Sequence, residues 1–146
     1  MNDPFDLQRF LDAQHNIYDD VLSELRQKRK TGHWMWFIFP QIKGLGLSPM
    51  SQRFAIQSLD EAIAYLEHPI LGARLIECTQ LLLAARDKPI RHVLGTPDDM
   101  KFRSSMTLFA HATKTNHLFV EAIDAHFDGD FDNLTLNLLH TLNKSY

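Results

Sequence analysis

The residue types most able to do chemistry gather between positions 26 and 51. This stretch holds both tryptophans of the chain, Trp34 and Trp36. Arg26, Lys28, Arg29 and Lys30 precede them, and Lys43, Gly44 and Gly46 follow. Indole faces stack on a base or a cation. Lysine and arginine neutralise phosphate or carboxylate. Glycines let backbone N–H groups approach an anion, and a serine at a helix start, here Ser48 or Ser51, adds donors. The same residues also have a plainly structural reading. The aromatic run would be core, the basic run a solvated helix end, and the glycines tight turns.

A second polar block reads DDMKFRSSMTLF over 98–109. On a helix, Asp98, Lys101 and Ser105 share one side, and Asp99, Arg103 and Thr107 another. Serines are poor mid-helix residues. Ser104, Ser105 and Thr107 therefore mark either close helix packing or a polar lining. Asp98 and Asp99 point about a hundred degrees apart and cannot face each other as an acid–base pair.

Other chemistries find no pattern. Gly44-Leu45-Gly46 lacks the third glycine of a dinucleotide fingerprint and the lysine of a phosphate loop, so no cofactor is expected. The eight histidines show no HExxH and no ligand pair with a carboxylate, so no metal site is expected. His33 and His68 stand at element boundaries, where each is a helix cap or a general acid/base. Cys78 is alone, which rules out an internal disulfide, and its apolar surroundings make it a small buried hydrophobe.

The elements that must position these groups follow from periodicity and caps. Leu7, Phe10, Leu11, Tyr18, Val21, Leu22 and Leu25 form one amphipathic face, capped by Asp6 and running to about Lys28, with Gly32 past its end. The all-apolar run 34–39, closed by Pro40, fits a buried strand or a short buried helix by pattern alone. With no second convincing strand to pair it, the helix is preferred, and a short helix follows over 51–56. Ser58 and Glu61 form a capping box that opens a helix to about Glu67. After His68-Pro69, Leu71, Leu75, Cys78 and Leu82 mark a central helix. A short turn from Lys88-Pro89 closes at Gly95. Thr96, Pro97 and two acids start a helix reaching about Lys114. Asn116 and Asp132 cap the last two. The expectation is all-α: seven or eight helices in one domain spanning 1–146.

Composition sets the class. Apolar residues make up 45% of the 146, charged residues 23%, and the formal net charge is -3. A core is affordable, and a general nucleic-acid surface is disfavoured because phosphate binding needs a basic excess. Residues 1–10 carry Asp3 and Asp6 and no apolar leader, and the 34–39 run is far too short to span a bilayer. No membrane association is expected, and cytoplasmic residence is the default.

The blocks HWMWFIFPQIKGLGLS, EAIAYLEHPILGARL and DDMKFRSSMTLF resemble the bacterial family known as domain of unknown function 1810. Its members sometimes carry the label calpastatin, which this sequence does not support. The resemblance runs from Arg9-Phe10 to about Asp132. It maps onto Gln14, Lys30, His33, Trp34, Trp36, Pro40, Gln41, Gly44, Gly46, Ser48, Tyr65, His68, Pro69, Gly72, Arg74, Lys101, Ser104, Ser105 and Thr107. Thr31-Gly32 departs from the serine-led form expected before His33-Trp34. The resemblance implies one multihelical domain with buried central helices and no established activity.

Two functional readings stand beside the structural one. In the first, Lys30, Arg74 and Lys101 bind the charge of a nucleotide or sugar phosphate, Trp34 or Trp36 stacks, and Gln41, Ser48, Ser104 and Ser105 add polar contacts. Proton transfer, if any, falls to His33, His68 or Asp98. In the second, an exposed aromatic segment serves a protein partner as an adaptor. Burial of both indoles would remove that reading's main support.

Overall fold

The computed structural model describes residues 2–143. Met1 of the N-terminal stretch, and 144–146 at the end of the expected domain, lie outside the described residues. Among those described there are ten helices, seven of them at least seven residues long, where seven or eight were expected. Among the described residues there is no strand, only one isolated parallel bridge between Ile42 and Ile56.

The excess comes first from the N-terminal face, which is two helices. α1 spans Gln8–Gln14 and α2 spans Tyr18–Arg26. α1 packs on α3 (Met35–Ile38), whereas α2 packs on α6 (Leu71–Ala84). Two partners demand two axes. Asp6 is not the cap: its φ is 51°, and Asp3 instead accepts Leu7 N–H at 2.8 Å and Gln8 N–H at 3.0 Å.

The next helices follow the local signals. The aromatic run forms the short buried α3 as expected. α4 (Pro49–Arg53) starts earlier than expected, because Ser48 accepts Ser51 N–H and proline takes the first turn. Half of the capping box forms in α5 (Leu59–Glu67): Glu61 N–H reaches Ser58 Oγ at 3.1 Å, while the Glu61 carboxylate reaches one residue further back and accepts Gln57 N–H at 2.9 Å. α7 is Ile90–Leu94 and ends at Gly95, whose φ of 82° suits glycine.

α8 runs from Asp98 to His111, three residues short of the expected end. Thr96 does not cap it. The Gly95 carbonyl takes Asp99 N–H at 2.9 Å instead. α9 (Leu118–Phe127) and α10 (Asn133–Asn143) begin beyond Asn116 and Asp132, which accept Leu118 N–H and Thr135 N–H.

α6 and α8 form the centre. Residues Phe102 and 104–109 of α8 are all buried, because neighbours pack on every side of that helix. The aromatic run feeds the same core. Phe39 meets Phe102 edge-on at 5.0 Å, Phe10 meets Tyr65 at 5.0 Å, and Tyr65 meets Phe109 at 5.4 Å. These separations suit tilted and T-shaped ring contacts. Among the described residues no helix is long and apolar enough to cross a membrane.

α5 and α6 meet at Gly72 with no room for a side chain. A Cβ there would lie 1.9 Å from the Leu66 carbonyl oxygen. Gly72→Ala gains about 1 kcal/mol of helix propensity. The clash with rigid backbone outweighs it, giving a net loss of about 1–3 kcal/mol. Urea unfolding measures the difference.

Candidate functional site

Two of the separated polar blocks meet in space. Lys30 follows α2, and its backbone N–H donates to Val93 of α7 at 2.7 Å. That tie sets the Lys30 side chain against the start of α8. Its Nζ lies 2.7 Å from Asp98 Oδ2. Lys101, one turn along α8, places Nζ 3.6 Å from the other carboxylate oxygen, Oδ1. Each ammonium also lies over an indole: Lys30 is 5.1 Å from the Trp34 ring centroid and Lys101 is 5.0 Å from that of Trp36. A cation at this distance is attracted by the ring quadrupole.

The two indoles differ in access. Trp34 is 3% exposed, so it is core. Trp36 is half-buried. The Trp34 Nε1–H donates to Glu24 Oε1 at 3.1 Å, and the same oxygen accepts Thr31 N–H at 2.7 Å and Gly32 N–H at 2.8 Å. Burial works against ionisation of Glu24, but the donors from Gly32, Thr31 and Trp34 prevail and hold its carboxyl below the usual range. Lys30 Nζ donates to the Gly32 carbonyl, which completes the turn.

Other predicted site residues lie elsewhere. His33 is exposed and lines a cleft of about 130 Å³ with Asp20, Glu24 and Phe37. His68 caps α6: its Nδ1 accepts Ile70 N–H at 3.1 Å and Leu71 N–H at 3.2 Å. Ser48 caps α4. The Gln41 carbonyl accepts Ile56 N–H at 2.8 Å, pairing the segments on either side of the glycine loop. Ser104 Oγ donates within the α8–α10 contact, 3.1 Å from both the Met100 carbonyl and Asp132 Oδ2. Arg74 joins Gln14 and Tyr18 rather than the lysines.

Ser105 is fully buried, and its Oγ has no hydrogen-bond partner among the described residues. Its neighbour Ser104 bonds back to the carbonyl four residues earlier, and Thr107 does the same. Cys78 is buried, and that burial pushes its thiol up to about 12 despite the hydrogen bond to Tyr18. Among the described residues no three His, Cys, Asp or Glu side chains gather as a metal ion would need.

A family model described as "Protein of unknown function (DUF1810)" matches residues 4–139. The chain belongs to the DUF1810 family. The DUF1810 fold seen here is similar to the crystal structure of the conserved hypothetical protein Rv1873 from Mycobacterium tuberculosis. The two share 51% identity with a TM-score of 0.93, over 94% of this chain and 99% of that one. No curated protein matches the sequence.

Two residues central to this DUF1810 geometry were not among the expected site residues. Glu24 sits on α2 as an ordinary surface acid would, and nothing local marks it. Gln14 does carry a signal, being a polar residue one helical turn beyond Phe10, in the middle of an apolar face.

Glu24→Ala strands three donors, one of them on a buried indole. The expected loss is about 1–3 kcal/mol near neutral pH. Because folding lowers this carboxyl, its contribution is fully present above the ordinary glutamate value of about 4.5 and is lost as pH falls through the lower folded value. The gap between wild type and variant in urea melts narrows below that pH. A constant gap would mean the carboxylate's charge is irrelevant. Ser105→Ala removes a buried hydroxyl that bonds to nothing, so thermal unfolding should show a gain on the order of 1 kcal/mol.

Proposed function

We propose that this protein binds a small anionic molecule, of the nucleotide or sugar-phosphate class, at Lys30, Asp98, Lys101 and Trp36. The observation that carries this reading is the convergence of two lysines on one carboxylate. Two cations facing one anion leave a positive charge unmatched within the cluster. The Lys101 contact is the longer, so an incoming oxyanion displaces it at less cost than the Lys30–Asp98 pair. Trp36 supplies a partly open flat face beside that ammonium, suited to a planar group.

The reading is one of binding, with no reaction attached. Neither His33 nor His68 hydrogen-bonds to a member of the cluster. The adaptor reading has lost one of its two indoles, since Trp34 is buried with its N–H satisfied inside. A single domain and cytoplasmic residence go with the proposal. One continuous cluster of buried residues and the lack of a membrane-length helix among the described residues support them.

Tryptophan fluorescence titrated with phosphate, pyrophosphate, nucleotides and sugar phosphates tests the proposal. At least one ligand should give a saturable change and a concentration-dependent rise in melting temperature. Lys101→Ala removes a charged hydrogen bond, so Kd should rise by about tenfold or more. A flat response across the panel, or an unchanged Kd in the variant, removes the idea.

A further inference from the structure

Several arginines of this fold have donors to spare. Arg86, for one, makes a single hydrogen bond among the described residues, to the Leu83 carbonyl of α6. What sets an arginine apart is being held in place with donors left over. Arg9 is saturated. Its guanidinium donates to the carbonyls of Phe5, Asp6, Arg53 and Ala55 and to the Glu61 carboxylate. Arg103 likewise holds the Asp130 and Phe131 carbonyls and pairs with the Asp130 carboxylate. Both tie loops to helices and have an obvious structural task.

Arg74 differs. It takes part in none of the ion pairs among the described residues. Of its nitrogens only Nη1 has an acceptor there, Gln14 Oε1 at 3.2 Å. The Nε and Nη2 edge, which fits a carboxylate or phosphate with two parallel hydrogen bonds, is unused.

That edge is nevertheless held in place. Gln14 is 1% exposed, and its Nε2 donates to the Phe37 carbonyl at 2.7 Å and to the Tyr65 hydroxyl at 3.2 Å. With its amide nitrogen committed, Gln14 turns its oxygen towards Arg74. The guanidinium carbon lies 4.6 Å from the centroid of the Tyr18 ring. Tyr18 in turn donates its hydroxyl to Glu77 at 2.6 Å, which engages the acid one turn along α6. Arg74 itself is half-buried, with surface left to solvent. Buried amides and stacked rings remove the rotamer freedom that an arginine otherwise loses on binding.

We propose that Arg74 anchors an oxyanion site separate from the lysine cluster. It takes a carboxylate or phosphate group of a small molecule on its Nε–Nη2 edge, with Gln14 and Tyr18 as positioning residues. The site does not depend on the lysine reading, and either can fail alone.

The test follows the Arg74 Nε–H by ¹⁵N NMR in the full chain. Acetate and inorganic phosphate are added in separate titrations at constant ionic strength, with chloride as the control. The expected result is a saturable shift of the Arg74 resonance with at least one of the two anions and none with chloride. Which anion binds more tightly identifies the group. The shift persists in a Lys101→Ala background, where the first site is removed. Arg74→Lys keeps the charge but loses the planar edge, so binding followed at the Gln14 side-chain amide weakens by about tenfold or more. No shift beyond the chloride control overturns the proposal. Equal binding by Arg74→Lys does so as well, because it would show charge attraction alone. If that variant melts below the assay temperature, the wild-type titration decides.

Discussion

Burying a tryptophan requires an acceptor for its N–H. At Trp34 that acceptor is the Glu24 carboxylate, which also gathers the backbone donors of Thr31 and Gly32. One carboxylate oxygen thus fixes the turn that carries the chain from α2 into the aromatic run. The Lys30 backbone is tied to α7 immediately before this turn, and the Lys30 side chain reaches Asp98 at the start of α8. Arg26 and Arg29 stay exposed, as the basic end of a solvated helix would. Lys30, beyond them, has a side chain only 8% exposed and joins an ion-paired cluster against α7 and α8.

The same logic runs through the other polar groups inside the fold. Each buried polar side chain must be bonded, because an unpaired one costs about 1–3 kcal/mol. Arg9 and Glu61 satisfy the loop around 53–57, where the chain runs between α4 and α5. Asp132 collects Ser104, the Thr135 hydroxyl and the Thr135 N–H, and so joins α8 to the start of α10. Gln14 links the carbonyl of Phe37 to Tyr65 and Arg74. Ser105 stands out against this background as a buried hydroxyl with no partner among the described residues. Arg74 stands out in the opposite sense, as a held cation with donors to spare.

Much of the molecule was legible in order of residues. Ser58 with Glu61, Asn116 and Asp132 each begin a helix where their caps indicate, because a cap acts within a few residues of its own position. The burial of α3 was legible because six consecutive apolar residues have no polar face to show water, and its helical form only because no second strand could pair with it. Cys78 was legible because it lies on an apolar stripe at helical spacing, and the burial that follows outweighs the lowering effect of Tyr18 and Arg74 on its thiol. Asp98 with Lys101 was legible as a helical pair three residues apart.

Other features had no local cause. One amphipathic face, read as a single helix, is two, because its halves pack on different partners. His68 was open between a cap and an acid or base, and the cap appears only once α6 starts beside it. The sequence put Lys30, Arg74 and Lys101 together by charge alone. Tertiary structure joined Lys30 to Lys101 through Asp98 and set Arg74 on Gln14 and Tyr18. The residues alone determined a helical chain with a large apolar core and where most of its helices begin, since those depend on neighbours within a turn or two. Which charges meet, and which are left unpaired, was decided only by packing, since those partners lie tens of residues apart and a charge carries no label for its partner.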